Sequence, residues 1–163
     1  IDTTAMQHAH VLRYSFRLPY IPMTWGSAMN AQTLEGGFFI WDGANSQLDY
    51  GVAFQWILNP WMSSFGEIRT WSSSGSWVSS GVTLPVDTAW HELTIALDHA
   101  NQSSSLEVDT TQIPISYSQT PKVGWGTEVA TRLQAEIISN WPGENPTGPK
   151  HQAEFKDWQW EWR

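Results

Sequence analysis

The segment 65-FGEIRTW-71 carries three side chains with binding chemistry, Glu67, Arg69 and Trp71, at every second position. In an extended strand successive side chains point to opposite faces, so these three share one face. A carboxylate, a guanidinium and an indole side by side suit a polar ligand with a flat apolar surface, such as a sugar ring. The alternative interpretation is an outer strand face with incidental ion pairs, and burial would decide between the two.

Two other segments contribute polar residues that could join this face. They are 48-LDYGVAFQWIL-58, with Gln55, and 127-TEVATRLQAEIIS-139, with Gln134 and Glu136. If these strands belong to one sheet and its concave side is functional, we expect Gln55, Gln134 and Glu136 to converge there with the first three.

A further candidate binding segment, 41-WDGANSQLDYG-51, surrounds a glycine with Trp41, Asp42, Asn45 and Asp49. An aromatic ring that stacks on a sugar, beside Asp and Asn side chains that bind its hydroxyls, would hold a glycan. The simpler interpretation is a β-turn, in which Asp and Asn bond to their own backbone.

The final segment, 154-EFKDWQWEWR-163, places Trp158, Trp160 and Trp162 on one face of an extended strand. Three indoles in a row are either core or a stacking surface, and we expect at least one, with Trp160 as the ligand-binding candidate, to face a groove. Phe155 has the opposite parity, which predicts either a β-bulge near Lys156 or aromatic side chains on both faces.

The sequence gives little support for a metal site or for a catalytic serine. His8 and His10 would share a strand face, but no third ligand can be assigned, and a metal site needs at least three. The serine-rich stretches lack the G-x-S-x-G context of a catalytic serine. We therefore expect no metal and no cofactor.

Composition bounds the class of protein. The 163 residues include 12 Trp and no Cys, with 13% aromatic and 15% charged residues. This length predicts a single domain over 1–163 with a substantial core and no need for disulfides. The absence of cysteine leaves the compartment open, secreted or cytoplasmic.

The charge balance excludes some partners. The formal net charge is −8, and no Lys/Arg cluster is present that could follow a phosphate backbone. No apolar run is long enough to span a bilayer. We expect a soluble protein that binds neither nucleic acid nor membranes.

Alternating apolar residues dominate the chain and predict strands. The predicted strands are 9–18, 36–43, 48–58, 65–71, 90–98, 105–115 and the second half of 127–139, and the predicted loops are 19–30, 72–81, 116–127 and 140–150. In 127–139 a helical spacing of Val129, Leu133 and Ile137 competes with a strand-like alternation. Antiparallel strands with short turns predict an all-β, two-sheet antiparallel sandwich with few or no helices.

The block 81-GVTLPVDTAWHELTIALDHANQSSSLEVDTTQIP-114 resembles the W-H-x-L-x-[IV]-x-[LV]-D … L-x-V-D-G hairpin of the concanavalin A-like lectin/glucanase superfamily, especially its laminin-G-like and pentraxin-like branches. The segment 153-AEFKDWQW-160 is similar to the final strand of such domains. The resemblance implies a jelly-roll sandwich and a structural role for His91. Thr110 stands where Gly is usual, and no calcium motif transfers.

Members of that superfamily that hydrolyse glucans commonly use an E-x-D-x-x-E motif, which this chain lacks. The nearest candidate, Glu107-Val108-Asp109, lies on the hairpin that the resemblance makes structural.

Three hypotheses about function remain open. The first is a lectin-like carbohydrate-binding module. The second is a small β-sandwich enzyme, a glycosidase, a lyase, or a cyclase or isomerase of a hydrophobic metabolite, that uses a lone acid such as Glu136 or Asp42 in a Trp-rich pocket. The third is an interaction domain whose Trp-rich face binds a protein partner or a second copy of the chain. The expected ligand is a glycan or a hydrophobic small molecule.

Overall fold

The computed structural model describes residues 8–22, 32–42, 47–60, 62–72, 74–98, 101, 103–115, 129–139 and 152–163. Positions 32, 40–42 and 47–50, and β9 apart from Ala135, are described by backbone alone. The ten strands are β1 (Ala9–Arg17), β2 (Gln32–Asp42), β3 (Gln47–Ile57), β4 (Glu67–Trp71), β5 (Trp77–Thr83), β6 (His91–Asp98), β7 (Ser103–Val108), β8 (Thr111–Ile113), β9 (Val129–Ser139) and β10 (Glu154–Trp162). Within these ranges, no helix is long and apolar enough to cross a membrane.

The strands form two antiparallel five-stranded sheets. The first sheet has the order β10-β1-β6-β7-β8, and the second has the order β5-β4-β3-β2-β9. The sheets pack face to face, with β3 of the second sheet against β6 and β7 of the first. The prediction of an all-β two-sheet sandwich is therefore confirmed.

The core between the sheets consists of the predicted apolar strand faces. Its fully buried members include Leu12 and Phe16 of β1, Phe54 and Trp56 of β3, Leu93, Ile95 and Leu97 of β6, and Leu106 of β7. Each set lies at alternate positions of its strand, so one face of each sheet is buried and the other carries the polar residues.

The segment 127–139, for which helix and strand competed, is a strand from Val129 to Ser139. It pairs with β2 over eleven positions, from Gln32 opposite Ser139 to Asp42 opposite Val129. The alternation of its apolar residues, rather than their helical spacing, therefore indicates the right structure.

The prediction that 72–81 is a loop is wrong, because β5 begins at Trp77 within it. Trp77 and Val78 both favour strands, and β5 pairs with β4, with Trp77 opposite Trp71. The chain turns between Trp71 and Trp77, where Gly75 adopts a φ of +78°. The many serines of this segment favoured a loop in the sequence interpretation, although the chain forms a short hairpin here.

The predicted strand 105–115 is divided by a turn at Asp109 and Thr110, after which β8 folds back on β7. Asp109 adopts a φ of +54° and uses its carboxylate to hold the start of β6. Its Oδ2 accepts from Nδ1 of the buried His91 at 3.0 Å, and its Oδ1 accepts from the backbone N–H of Glu92 at 2.9 Å. The structural role expected of His91 is confirmed.

The last strand, β10, lies beside β1 and contains the predicted bulge. The register shifts between Arg13, opposite Gln159, and Ser15, opposite Lys156, and Asp157 adopts a φ of +57°. The bulge reverses the parity, so Phe155 and the three indoles all lie on the inner side of the sheet. β10 is an end strand of the first sheet among the described residues.

The side chain of Tyr14 on β1 contacts both sheets through packing. Its side chain is buried and stacks on Trp158 with ring centroids 4.2 Å apart. Its hydroxyl lies against the Cα of Gly36 on β2, where a Cβ atom would overlap it. Within the part of the chain that the structure describes, this hydroxyl has no hydrogen-bond partner.

Candidate functional site

One position from each strand of the second sheet falls into a single row across it. From β9 to β5 these positions are Glu136, Glu35, Gln55, Arg69 and Ser79, each opposite the next. We call them the polar row. Directly opposite residues of antiparallel strands share a face, and the neighbours Leu34, Trp56 and Ile68 are buried in the core. The polar row therefore crosses the outer face of the sheet.

The centre of the polar row is held by a hydrogen bond between two side chains. Nε2 of Gln55 donates to Oε1 of Glu35 at 2.6 Å, and Oγ1 of Thr33 lies 3.5 Å from the same oxygen. Gln55 is only 7% exposed, whereas Glu35 is half-buried. The amide fixes the orientation of the carboxylate, since a hydrogen bond to a charged acceptor is stronger than one between neutral groups.

A second carboxylate, Glu67, lies next to the row on β4. Its Oε2 accepts from Nε of Arg69 at 2.9 Å, and its Oε1 accepts from Oγ of Ser79. The Ser79 hydrogen bond is the main cause that lowers the pKa of Glu67, and Arg69 adds to it, while partial burial opposes both. Glu67 is therefore an ionised hydrogen-bond acceptor at neutral pH.

Two indoles border these polar groups at the edge of the sheet. Trp71 of β4 and Trp77 of β5 are directly opposite each other, with ring centroids 5.1 Å apart and planes at 77°. We call them the indole corner. Trp71 is 47% exposed, and it shares the strand face of Glu67 and Arg69. The corner thus offers a flat apolar surface directly beside an ion pair.

Access to this face increases towards β5. Gln55 on β3 is buried, Glu67 and Arg69 on β4 are half-buried, and Ser79 on β5 is exposed. A small cavity of about 130 Å³ adjoins Glu67 and is lined by Ser63, Ser64, Phe65, Glu67, Gly81 and Thr83. A ligand would therefore reach the site at the β4–β5 end.

The structure brings three of the predicted binding residues, Gln55, Arg69 and Trp71, together on this face. The backbone register places Glu136 in the polar row and Gln134 two positions further along β9, opposite Gly37. The side chains of these two β9 residues are outside what the structure describes.

The other predicted binding residues lie elsewhere. Trp160 belongs to the inner side of β10 in the first sheet, so it does not join this face. The backbones of Trp41, Asp42 and Asp49 belong to the β2–β3 hairpin, but their side chains are outside the described part, and Asn45 is outside it entirely.

The sequence interpretation missed Glu35, Trp77 and Ser79. The predicted strand began at position 36, although the alternation of Thr33, Leu34 and Glu35 extends it towards the N-terminus. Trp77 and Ser79 were assigned to a loop. The usable signals were the alternation of Thr33, Leu34 and Glu35 and the strand preference of Trp77 and Val78.

The first sheet carries a larger but different depression on its outer face. A cavity of about 300 Å³ opens beside the bulge and is lined by Arg13, Tyr14, Ser15, Glu92, Leu93, Thr94, Asp157 and Gln159. Its lining includes no indole, so it lacks the stacking surface that the indole corner provides.

Neither a metal centre nor a known relative identifies the site. Among the described residues, no group of three or more His, Asp or Glu side chains could hold a metal ion. No family model matches the chain, and no curated protein or solved structure is similar enough to it to count as a match.

Proposed function

We propose that the protein is a lectin-like carbohydrate-binding module and that it holds its glycan at the indole corner and the β4–β5 end of the polar row. The observation that carries the proposal is the half-exposed indole of Trp71 beside the Glu67–Arg69 pair. Aromatic faces stack on the C–H surface of sugars, and fixed charged groups bind their hydroxyls.

Each group has a distinct part in the proposed complex. One sugar ring lies on Trp71, and its hydroxyls donate to the carboxylate of Glu67 and accept from the terminal amino groups of Arg69. Ser79 and Arg69 already fix the Glu67 carboxylate, so little side-chain entropy is lost on binding. Because Glu35 and Glu67 outnumber the one arginine, we expect neutral sugars to bind better than uronic acids.

Membership of the concanavalin A-like superfamily is part of the same proposal. Two packed antiparallel sheets are compatible with that architecture, and the hairpin that resembles it forms β6 and β7. Because a fold does not determine function, the proposal rests on the side chains of the site.

The test is a titration of intrinsic tryptophan fluorescence and of heat against a panel of neutral and uronic oligosaccharides. We expect saturable binding of a neutral oligosaccharide and a loss of about tenfold or more in affinity for Trp71→Ala and for Arg69→Ala, in line with the loss of one stacking or charged contact. Trp162→Ala is the matched control, since its indole is 46% exposed on the other sheet. An affinity that stays unchanged in both Trp71→Ala and Arg69→Ala would refute this location. The absence of binding to every sugar in the panel would refute the function.

A second candidate, an enzyme that cleaves the bound glycan, is favoured by one observation. The register places Glu136 directly opposite Glu35, so two acidic positions adjoin on neighbouring strands. Glycosidases use a pair of carboxyl groups as acid and as nucleophile or base. Prolonged incubation with the bound oligosaccharide distinguishes the candidates. Cleavage products that the native protein forms and that Glu35→Gln and Glu136→Gln do not form indicate an enzyme. An oligosaccharide that stays intact indicates a binding module.

A further inference from the structure

The outer edge of β10 presents backbone groups with which no described strand pairs. Ala9 and Arg163 exchange both of their backbone hydrogen bonds, at 3.0 and 2.8 Å. Such pairs recur at every second residue of an antiparallel ladder, so Glu161 also directs its N–H and C=O towards β1. The backbone N–H and C=O groups of Trp160 and Trp162 point to the opposite edge of β10. In the described ranges, no strand pairs with that edge.

The same strand exposes three indoles in a row, a set that we call the indole strip. Trp158, Trp160 and Trp162 are 42%, 47% and 46% exposed. An unpaired strand edge that also carries exposed apolar side chains is a template for another strand. Two independent features, backbone and side chain, therefore indicate an interaction surface here.

We infer that the partner is a second copy of this chain, which adds its own β10 antiparallel to the first about a two-fold axis at Trp160. The surface is then self-complementary, as a symmetric dimer requires. Trp160 lies opposite the partner's Trp160, and Trp158 lies opposite the partner's Trp162. The outward-directed groups of these residues then pair in the new ladder, and the two first sheets become one ten-stranded sheet.

The charges and the indoles along β10 together favour this register. With the axis at Trp160, the exposed Arg163 lies opposite the partner's Asp157, and no like charges are directly opposed. An axis at Gln159 would place Glu161 against the partner's Asp157, and an axis at Glu161 would place two Glu161 carboxylates together. Only the axis at Trp160 places all three indoles of the strip opposite the partner's three indoles.

The interface is small, so the dimer is weak. If a whole indole offers up to about 250 Å², the exposed parts of the strip amount to roughly 300 Å² per copy. With the paired backbone, this corresponds to the low end of specific interfaces. The inference does not depend on glycan binding, because the proposed glycan site lies on the other sheet.

The first experiment is sedimentation equilibrium of the full chain from about 1 to 200 µM, which covers the affinity of a weak complex. We expect a monomer–dimer equilibrium that Trp160→Lys weakens by at least tenfold, since a lysine is a common block on strand edges. Val78→Lys is the matched control, because Val78 is 46% exposed on β5, the end strand of the other sheet.

The second experiment tests the register, using the fact that the chain has no cysteine of its own. In Trp160→Cys the two introduced thiols belong to directly opposite residues, whose Cα atoms are about 5.5 Å apart and within disulfide range. In Trp162→Cys they are offset by four residues, roughly 13 Å, and out of range. Mild oxidation should cross-link only the first variant.

Three results would overturn the inference: a monomer throughout the concentration range, a dimer that Trp160→Lys leaves intact, or cross-linking by Trp162→Cys as efficient as by Trp160→Cys. A monomer whose tryptophan fluorescence responds to an apolar probe would assign the strip to a small-molecule ligand instead. A dimer with the predicted cross-link supports the inference even if no sugar binds.

Discussion

Replacing Tyr14 by Phe should stabilise the protein at neutral pH. The hydroxyl is buried and has no partner among the described residues, and such a group costs about 1–3 kcal/mol of desolvation that no hydrogen bond repays. Phe keeps the ring and its stacking on Trp158. Allowing for some relaxation, we expect Tyr14→Phe to raise the free energy of unfolding by about 1 kcal/mol and the Tm by about 3 °C.

The pH dependence gives a sharper version of this prediction. Burial raises the pKa of Tyr14 far above its ordinary value, because ionisation inside the core would leave the phenolate without water. Because the pKa of Tyr14 is raised on folding, no ionisation penalty exists below the unfolded value, about 10 for Tyr, and stability falls as the pH rises above that value, where only the unfolded state ionises. The native protein should therefore lose about 1.4 kcal/mol per pH unit above 10 relative to Tyr14→Phe.

The assay is guanidinium denaturation of both proteins at several values between about pH 8 and 11, over which the unfolded tyrosine ionises. The advantage of Tyr14→Phe should be constant up to about pH 9.5 and should grow above it. Tyr20→Phe is the control, because Tyr20 is only half-buried. Stability curves of native protein and Tyr14→Phe that stay parallel through pH 11, or a variant less stable than the native protein at pH 8, would refute the reasoning.

Two further predictions concern the second sheet. Because the pKa of Glu67 is lowered on folding, its contribution to stability is complete above about pH 4.5 and is lost as the pH falls from there through the folded pKa. Glu67→Gln should therefore cost roughly 0.5–1 kcal/mol in urea at pH 7 and less at about pH 3; an equal cost at both values would contradict this. Gly36→Ala should cost about 1–3 kcal/mol by denaturant titration, since its Cβ would overlap the Tyr14 hydroxyl and lie 2.5 Å from Phe54. Gly37→Ala should cost less, because its Cβ would meet mainly the half-exposed ring of Phe39 and approach the backbone oxygen of Val52 at 3.1 Å; equal costs would contradict the packing described.

The fold could be predicted from the sequence because its signal is local and repeated. Each core strand alternates apolar and polar residues, as in Val52, Phe54 and Trp56, and the alternation alone assigns the buried face. The bulge in β10 was one of the two alternatives that the sequence left open, since Phe155 and Trp158 cannot share a face in a regular strand.

The candidate site could be predicted only in part, because it depends on strand order. Glu67, Arg69 and Trp71 share a face by spacing along one strand. Glu35 meets Gln55 only because β2 pairs with β3 in one particular register. A shift of β2 by one residue relative to β3 would turn Glu35 towards the core. No local sequence pattern excludes that shift, because the register is set by packing across the whole sheet.

The pairing of β1 with β10 has a consequence for the order of folding. β1 forms backbone hydrogen bonds with β6 on one side and with β10 on the other, about 150 residues later in the chain. During synthesis, β1 keeps one edge open until nearly the whole of this chain has left the ribosome. The first sheet must therefore be completed late, by its longest-range contact.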